Sequence, residues 1–295
     1  MKQQIQGTIS LLCATLIWGF AFIAQSVGMD LIGPFTFQTV RCFLAVIFLI
    51  LLTFVMELPK ISFQDFLRRW TEPKLWKAGI ACGIALFAAA NLQQVGLLYT
   101  DAGKAGFLTA MYIVIVPILG IFLRRKPPVT AIVSVAIAVV GLYLLSCAGV
   151  SKINIGDVLL ISCALCFAVQ IMLVDHFAVG LDGIRLNCVQ AIIVTLLSAP
   201  VMMVRETVSL RNILDCWLPL CFAGILSMGL AYSLQIIGQK KLEPTAASLI
   251  MSLESVFAAL GGWMILHETM TGWELTGCAL VFAAVIISQL PIKAK

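Results

Sequence analysis

One carboxylate lies deep inside an apolar stretch of this 295-residue sequence. Glu254 is ten residues into the run Thr245–Leu266, among small and apolar neighbours. An ionised side chain at the centre of a membrane-spanning helix costs about 2.5–3.5 kcal/mol, so its presence needs a reason. Glu254 could bind a proton, bind the ammonium group of a substrate, or pair with Arg41.

Arg41 is the one cation inside another apolar run, about two turns from its beginning at Pro34. Its position is off-centre, so the guanidinium could reach the membrane interface along its own alkyl stem. A structural role is therefore favoured for Arg41, with substrate contact as the alternative.

Uncharged polar and aromatic side chains occur at comparable depths in other apolar runs. Amides and hydroxyls can orient a polar ligand, and aromatic rings can stack on it or hold a cation. The alternative for each is a hydrogen bond that joins two membrane helices without any ligand. The candidates are Asn91, Gln93, Phe22, Trp18, Tyr112, Gln170, Tyr232 and Gln235, with Gln94 and Gln190 close behind.

The elements that must position these residues are membrane helices. The chain is 61% hydrophobic and 11% charged, with a mean hydropathy of +1.07. Soluble domains carry roughly 45–50% apolar and roughly 25% charged residues, so hydrocarbon must be the solvent here. The basic residues behind the net charge of +5 lie in short gaps between apolar runs, which indicates topology signals and not a nucleic-acid surface.

Ten apolar runs are long enough to span a bilayer as helices. The sequence thus predicts an all-α integral membrane protein of ten transmembrane helices. The predicted spans are Gly7–Val27, Pro34–Met56, Trp76–Tyr99, Ala102–Leu123, Val129–Ala148, Ile155–Phe177, Ile184–Val204, Leu214–Ile237, Thr245–Leu266 and Trp273–Leu290.

The distribution of basic residues predicts the orientation. With both termini in the cytoplasm, fourteen Lys and Arg residues fall inside and four fall outside, namely Lys104, Lys152, Arg205 and Arg211. Cytoplasmic loops are enriched in these residues, so we expect a multi-pass protein of a cell inner membrane with cytoplasmic N- and C-termini.

Two local patterns refine the helices. Pro117 removes a backbone donor inside the fourth span and predicts a kink there. In the longest loop, Phe63, Phe66 and Trp70 share one helical face, which favours a short helix in the cytoplasmic interface over a solvated linker.

The second half of the sequence resembles the first. Asn91–Gly96 aligns with Ser233–Gly238, and an ungapped continuation places Tyr112 on Glu254. Val40-Arg41 falls on Val189-Gln190. The predicted repeats are residues 1–148 and 149–295, and five helices in each would give the two repeats inverted topology. Inverted repeats are a recurring architecture of alternating-access carriers, with the substrate near the midplane.

The chain resembles the drug/metabolite transporter superfamily, in its ten-helix EamA-type branch. The resemblance rests on Ile17-Trp18-Gly19, Arg41, Val116-Pro117 and the stretch Ser252–Leu260 followed by His267-Glu268, where the family typically has Gly-Glu. It covers essentially the whole chain and implies secondary transport or export of amino acids, nucleosides, other metabolites or drugs. It also implies that the first and fourth helices surround the cavity, which makes Trp18 and Tyr112 the preferred pair.

Other functions fit the sequence less well. An embedded enzyme would need a metal cluster or a nucleophile motif, and a channel would need a filter motif. The sequence shows none of these patterns. A purely structural membrane protein would have no need of Glu254. A phosphate or nucleotide-sugar antiporter would need several buried cations, whereas Arg41 is the one such residue. We expect no cofactor, a small-molecule substrate, the lipid bilayer as surroundings, proton coupling as an open alternative, no nucleic acid, and either a monomer or a homodimer.

Overall fold

The computed structural model describes residues 2–100, 102–125, 127–146, 154–265 and 270–289. The predicted repeat boundary at residues 148–149, the predicted span ends Ala148, Leu266 and Leu290, and Lys152, His267 and Glu268 lie outside these residues. The described helices are α1 (Lys2–Met29), α2 (Pro34–Glu57), α3 (Phe63–Trp70), α4 (Pro73–Gly96), α5 (Ala102–Ala110), α6 (Tyr112–Phe122), α7 (Val129–Ser146), α8 (Ile155–Phe177), α9 (Gly183–Arg205), α10 (Leu210–Asp215), α11 (Trp217–Cys221), α12 (Tyr232–Gln239), α13 (Pro244–Met251), α14 (Leu253–Ile265) and α15 (Gly272–Gln289); a π-helical segment, Phe222–Ala231, joins α11 to α12.

All ten predicted spans correspond to apolar helical segments. Within the described residues, nine segments are long and apolar enough to cross a membrane, and Val129–Leu145 is a shorter apolar helix. Large apolar side chains such as Val55, Phe122 and Val204 are exposed on the outside of the bundle. Such a surface is stable only against lipid. The all-α, ten-span membrane fold is therefore confirmed.

Local sequence explains where several helices begin. Pro34, Pro73 and Pro244 each stand in the first turn of a helix, where a missing N–H costs nothing. Ser62 caps α3 by accepting from the N–H of Asp65. The helix predicted in the long loop is present as α3, with Phe66 buried and Phe63 exposed.

The fourth and ninth predicted spans are present as apolar helices that run through Lys104–Phe122 and Pro244–Met264. Each contains a one-residue irregularity, at Met111 between α5 and α6 and at Ser252 between α13 and α14. Both residues keep right-handed helical dihedral angles, so the chain does not unwind there. Pro117 stays inside α6.

Helices that correspond in the sequence repeat make equivalent contacts. α2 packs against its counterpart α9, and α7 packs against its counterpart α15. α4 packs against α8, and in the same way α12 packs against α1. Two copies related by a twofold axis would make such reciprocal pairs. The repeat boundaries and the inverted direction of the second copy stay predictions.

The α2–α9 pair is tied at both ends by residues that the repeat relates. At one end Arg185 donates both terminal nitrogens to the carboxylate of Glu57. At the other, Glu206 accepts from the backbone N–H of Phe35 at 2.9 Å and from the N–H and hydroxyl of Thr36 at 2.8 and 2.6 Å. In the register that places Arg41 on Gln190, Glu57 corresponds to Glu206 and Thr36 to Arg185.

Candidate functional site

A small cavity lies beside Tyr112 and Met251, next to the two helix irregularities. Its volume is about 40 Å³, which is enough to hold water. The lining residues come from seven helices and are Trp18, Ala21, Phe22 and Gln25 of α1, Gln93 of α4, Tyr112 of α6, Phe167 and Ile171 of α8, Tyr232 and Gln235 of α12, Met251 of α13 and Glu254 of α14.

The charged group of the cavity is Glu254. It lies in α14, two residues after the irregularity at Ser252. The hydroxyl of Tyr112, the first residue of α6, donates to Glu254 Oε1 at 3.1 Å. Ser255 donates to the carbonyl of Gly106 at 3.1 Å and holds α14 against α5. The carboxylate thus lies where the fourth and ninth spans meet.

Aromatic rings form much of the remaining wall. The rings of Trp18 and Tyr232 meet edge to face with centroids 4.9 Å apart. Those of Tyr112 and Phe167 meet in the same way at 6.5 Å. Trp18 Nε1 is buried and finds no hydrogen-bond partner among the described residues. The indole N–H is therefore an unused donor on a residue that lines the cavity.

Three buried glutamines form a hydrogen-bonded chain that ends at the cavity wall. Gln235 donates to Gln170 at 3.2 Å, and Gln170 donates to Gln190 at 3.1 Å. Gln235 lines the cavity, whereas Gln170 and Gln190 lie outside its wall. Gln235 Oε1 is buried and has no partner among the described residues, so it is an unused acceptor.

Arg41 lies behind the wall and does not reach the membrane interface. The residue is only 4% exposed. Its Nε donates to Gln38 at 2.8 Å and its NH1 to Gln25 at 2.9 Å. Among the ion pairs of the described residues, none joins Arg41 to Glu254. The alternatives of a snorkelling Arg41 and of an Arg41–Glu254 pair are therefore both absent from this conformation.

Asn91 also lies outside the wall. Its amide donates to the carbonyl of Phe87 at 2.8 Å and to Ser198 of α9 at 3.0 Å. This is the interhelical hydrogen bond that was the alternative for each polar candidate. Its neighbour Gln93 does line the cavity, with a long 3.5 Å contact to Thr109.

The structure thus brings together seven of the ten candidate residues and leaves out Asn91, Gln170 and Arg41. It adds Gln25 and Phe167, which the sequence analysis missed. The signal for Gln25 was available, because Trp18, Phe22 and Gln25 are spaced by four and three residues and share one face of α1. Phe167 had no comparable signal among the apolar residues around it.

A wide vestibule opens on the face where the described residues begin and end. Its volume is about 1500 Å³, and its wall includes Gln3 of α1 and Gln289 of α15. Met172 of the vestibule wall is the sequence neighbour of Ile171 of the cavity wall. On the opposite face the bond from Asn212 to the carbonyl of Leu31, at 3.4 Å, lies beside the Glu206 tie.

Ten apolar spans around a buried polar cavity describe a multi-pass membrane transporter, and the comparisons with known proteins agree. The profile of the EamA-like transporter family matches the chain twice, over residues 5–147 and 154–290. The chain belongs to this family, which confirms the resemblance seen in the sequence and the prediction of a transporter instead of an enzyme.

The relatives differ in how much of the chain they cover. An uncharacterized transporter of Archaeoglobus fulgidus is 33% identical over 98% of this chain and 88% of its own length. The threonine/homoserine exporter RhtA of Salmonella typhimurium is 30% identical over 59% of this chain and 58% of its own length. A solved crystal structure superposes with a TM-score of 0.76 over 96% of each chain at 18% identity, which shows the fold alone.

Proposed function

We propose that this protein is a secondary carrier that moves a small polar metabolite by alternating access between two inverted five-helix repeats. The observation that carries the proposal is the buried cavity, which residues of both sequence repeats line around Glu254. Sites near the midplane between repeats are typical of such carriers.

The vestibule and the α2–α9 ties support the direction of access. The vestibule opens on the face where the described residues begin and end, and Glu206 ties α2 to α9 on the opposite face. We infer that this conformation faces the cytoplasm and that loosening of the Glu206 tie accompanies the outward state. An inner-membrane location with both termini cytoplasmic follows from the charge distribution of the loops.

Within this carrier, we infer that seven lining residues contact the substrate: Glu254, Trp18, Tyr112, Gln93, Phe22, Tyr232 and Gln235. Glu254 handles either a proton or a cationic group of the substrate. Arg41 and Gln170 do not contact the substrate themselves. Arg41 holds Gln25, and Gln170 holds Gln235, by hydrogen bonds. Asn91 joins α4 to α9.

Counterflow into proteoliposomes tests the proposal. Vesicles preloaded with unlabelled compound should accumulate the labelled compound when it is a substrate, without any energy source. Threonine and homoserine come first because of the relative named above, followed by other amino acids, nucleosides and cationic drugs. Protein-dependent counterflow of any member supports a carrier.

The variant that tests the site is Trp18→Ala, which removes a wall residue while leaving Glu254 and Tyr112 in place. We expect normal membrane insertion and a loss of counterflow. Absence of counterflow for every compound in the wild-type protein, or unchanged counterflow in Trp18→Ala, would reject the proposed site.

A further inference from the structure

We propose, building on the proposed function, that the ligand of this cavity carries an ammonium group and a neutral oxygen and has no free carboxylate. The chemical class is that of amino alcohols, amino amides and related organic monocations. The unpaired polar atoms of the wall and the position of the nearest cation carry this inference.

The acceptors of the cavity match an ammonium group. Glu254 supplies a carboxylate that receives one hydrogen bond from the described residues, that of Tyr112. Gln235 supplies a second acceptor, Oε1, which is buried with no partner. An ammonium has three donors and no acceptor, so it can satisfy both groups at once. The aromatic rings of Trp18 and Tyr232 add faces that favour a cation.

The unused donor of the cavity matches a neutral oxygen. Trp18 Nε1 is buried and unpaired, and its contact with Tyr232 fixes the plane of the indole. An indole N–H can donate but never accept. A ligand hydroxyl or carbonyl would satisfy this donor without bringing a second charge into a site whose described wall is mostly apolar and aromatic.

A ligand carboxylate would find no counter-charge among the described residues of the cavity wall. The described lining residues include neither Lys, Arg nor His. The nearest candidate, Arg41, is engaged by Gln25 and Gln38 behind the wall. A carboxylate would also meet the like charge of Glu254, and such juxtapositions are strongly unfavourable when desolvated.

Matched ligand pairs test the inference in the unmodified protein. Each amino acid is compared with the amino alcohol of the same skeleton: alanine with alaninol, threonine with threoninol, and phenylalanine with phenylalaninol. Binding to purified protein is measured by the rise in melting temperature with ligand concentration. We expect each alcohol to bind at least about tenfold more tightly than its acid. Acetylating the amine of the preferred alcohol should abolish its binding.

Two variants then locate the preference. Glu254→Gln should remove the preference for the amino alcohol, whereas Asp30→Asn, which deletes an exposed carboxylate outside the cavity wall, should retain it. If Glu254→Gln fails to fold, Gln235→Met tests the second acceptor, and weaker binding of the alcohols is expected.

The outcomes separate this inference from the proposed function. Amino acids that bind as tightly as their alcohols, or more tightly, overturn the inference and leave a carrier in place. No binding of any of the six compounds also overturns the inference. The carrier itself is rejected only when the wider counterflow panel fails.

Discussion

Tyr112 donates its hydroxyl to Glu254 Oε1 at 3.1 Å, although the two residues lie 142 positions apart. The repeat alignment places the same two residues at equivalent positions. Equivalent positions of two copies meet only near the axis that relates them. Under the predicted inverted repeat, this contact lies near the axis between the two copies, where we propose that the carrier changes its access.

Replacing Glu254 by Gln should stop transport or remove its pH dependence while leaving membrane insertion intact. The amide preserves volume and lowers the cost of insertion, so the expected loss is functional. Uptake into proteoliposomes over a range of external pH measures the effect. Tyr112→Phe is the matched control, since it deletes the hydrogen bond but keeps the carboxylate and should keep the pH dependence. A stable Glu254→Gln protein with unaltered transport at every pH would contradict this role.

Replacing Arg41 by Gln, the residue at its repeat counterpart, should lower stability while measurable transport remains. Gln25 and Gln38 each lose a donor, and unsatisfied buried acceptors cost about 1–3 kcal/mol. A lower melting temperature with substrate uptake still present is the expected result. Arg41→Lys keeps the charge but not the fork of donors and serves as the comparison. Transport lost in a well-folded Arg41→Gln protein, and retained with Lys, would assign the charge of Arg41 a direct function.

Replacing Glu57 by Gln should be more destabilising than removing a carboxylate from an exposed ion pair. The side chain of Arg185 is 3% exposed and that of Glu57 is 18% exposed, so the change leaves a buried cation without its counter-charge. We expect a loss of about 3 kcal/mol, seen as a lower melting temperature. Asp175→Asn is the control because its partner Arg125 is 44% exposed, and such pairs contribute about 0–1 kcal/mol. Equal melting temperatures for the two variants would contradict the assignment.

The orientation of the protein is tested by the side from which single cysteines react. After removal of the native cysteines, Arg124→Cys should be shielded from an impermeant thiol reagent in intact cells, because we expect its loop to be cytoplasmic. Val208→Cys, in the loop that follows α9, should be labelled. The reverse pattern would overturn both the orientation and the assignment of the vestibule to the cytoplasmic face.

The sequence by itself determined the ten spans, the family and most of the residues now placed around one cavity. These features depend on local quantities. A run of about 20 apolar residues signals a span wherever it packs, and a carboxylate such as Glu254 is costly in any apolar helix. The spacing of Trp18, Phe22 and Gln25 also contained the inward face of α1, although only two of these three residues were predicted.

Only the tertiary structure decided which polar residues face the cavity and which join helices behind it. Arg41 and Asn91 are as polar and as deep as their neighbours in the wall, yet their side chains bond to Gln25 and Ser198 instead. Lipid and protein interior are both apolar, so hydropathy does not report how a membrane helix is rotated about its axis. That rotation depends on contacts between helices far apart in the chain, as does the meeting of Tyr112 with Glu254.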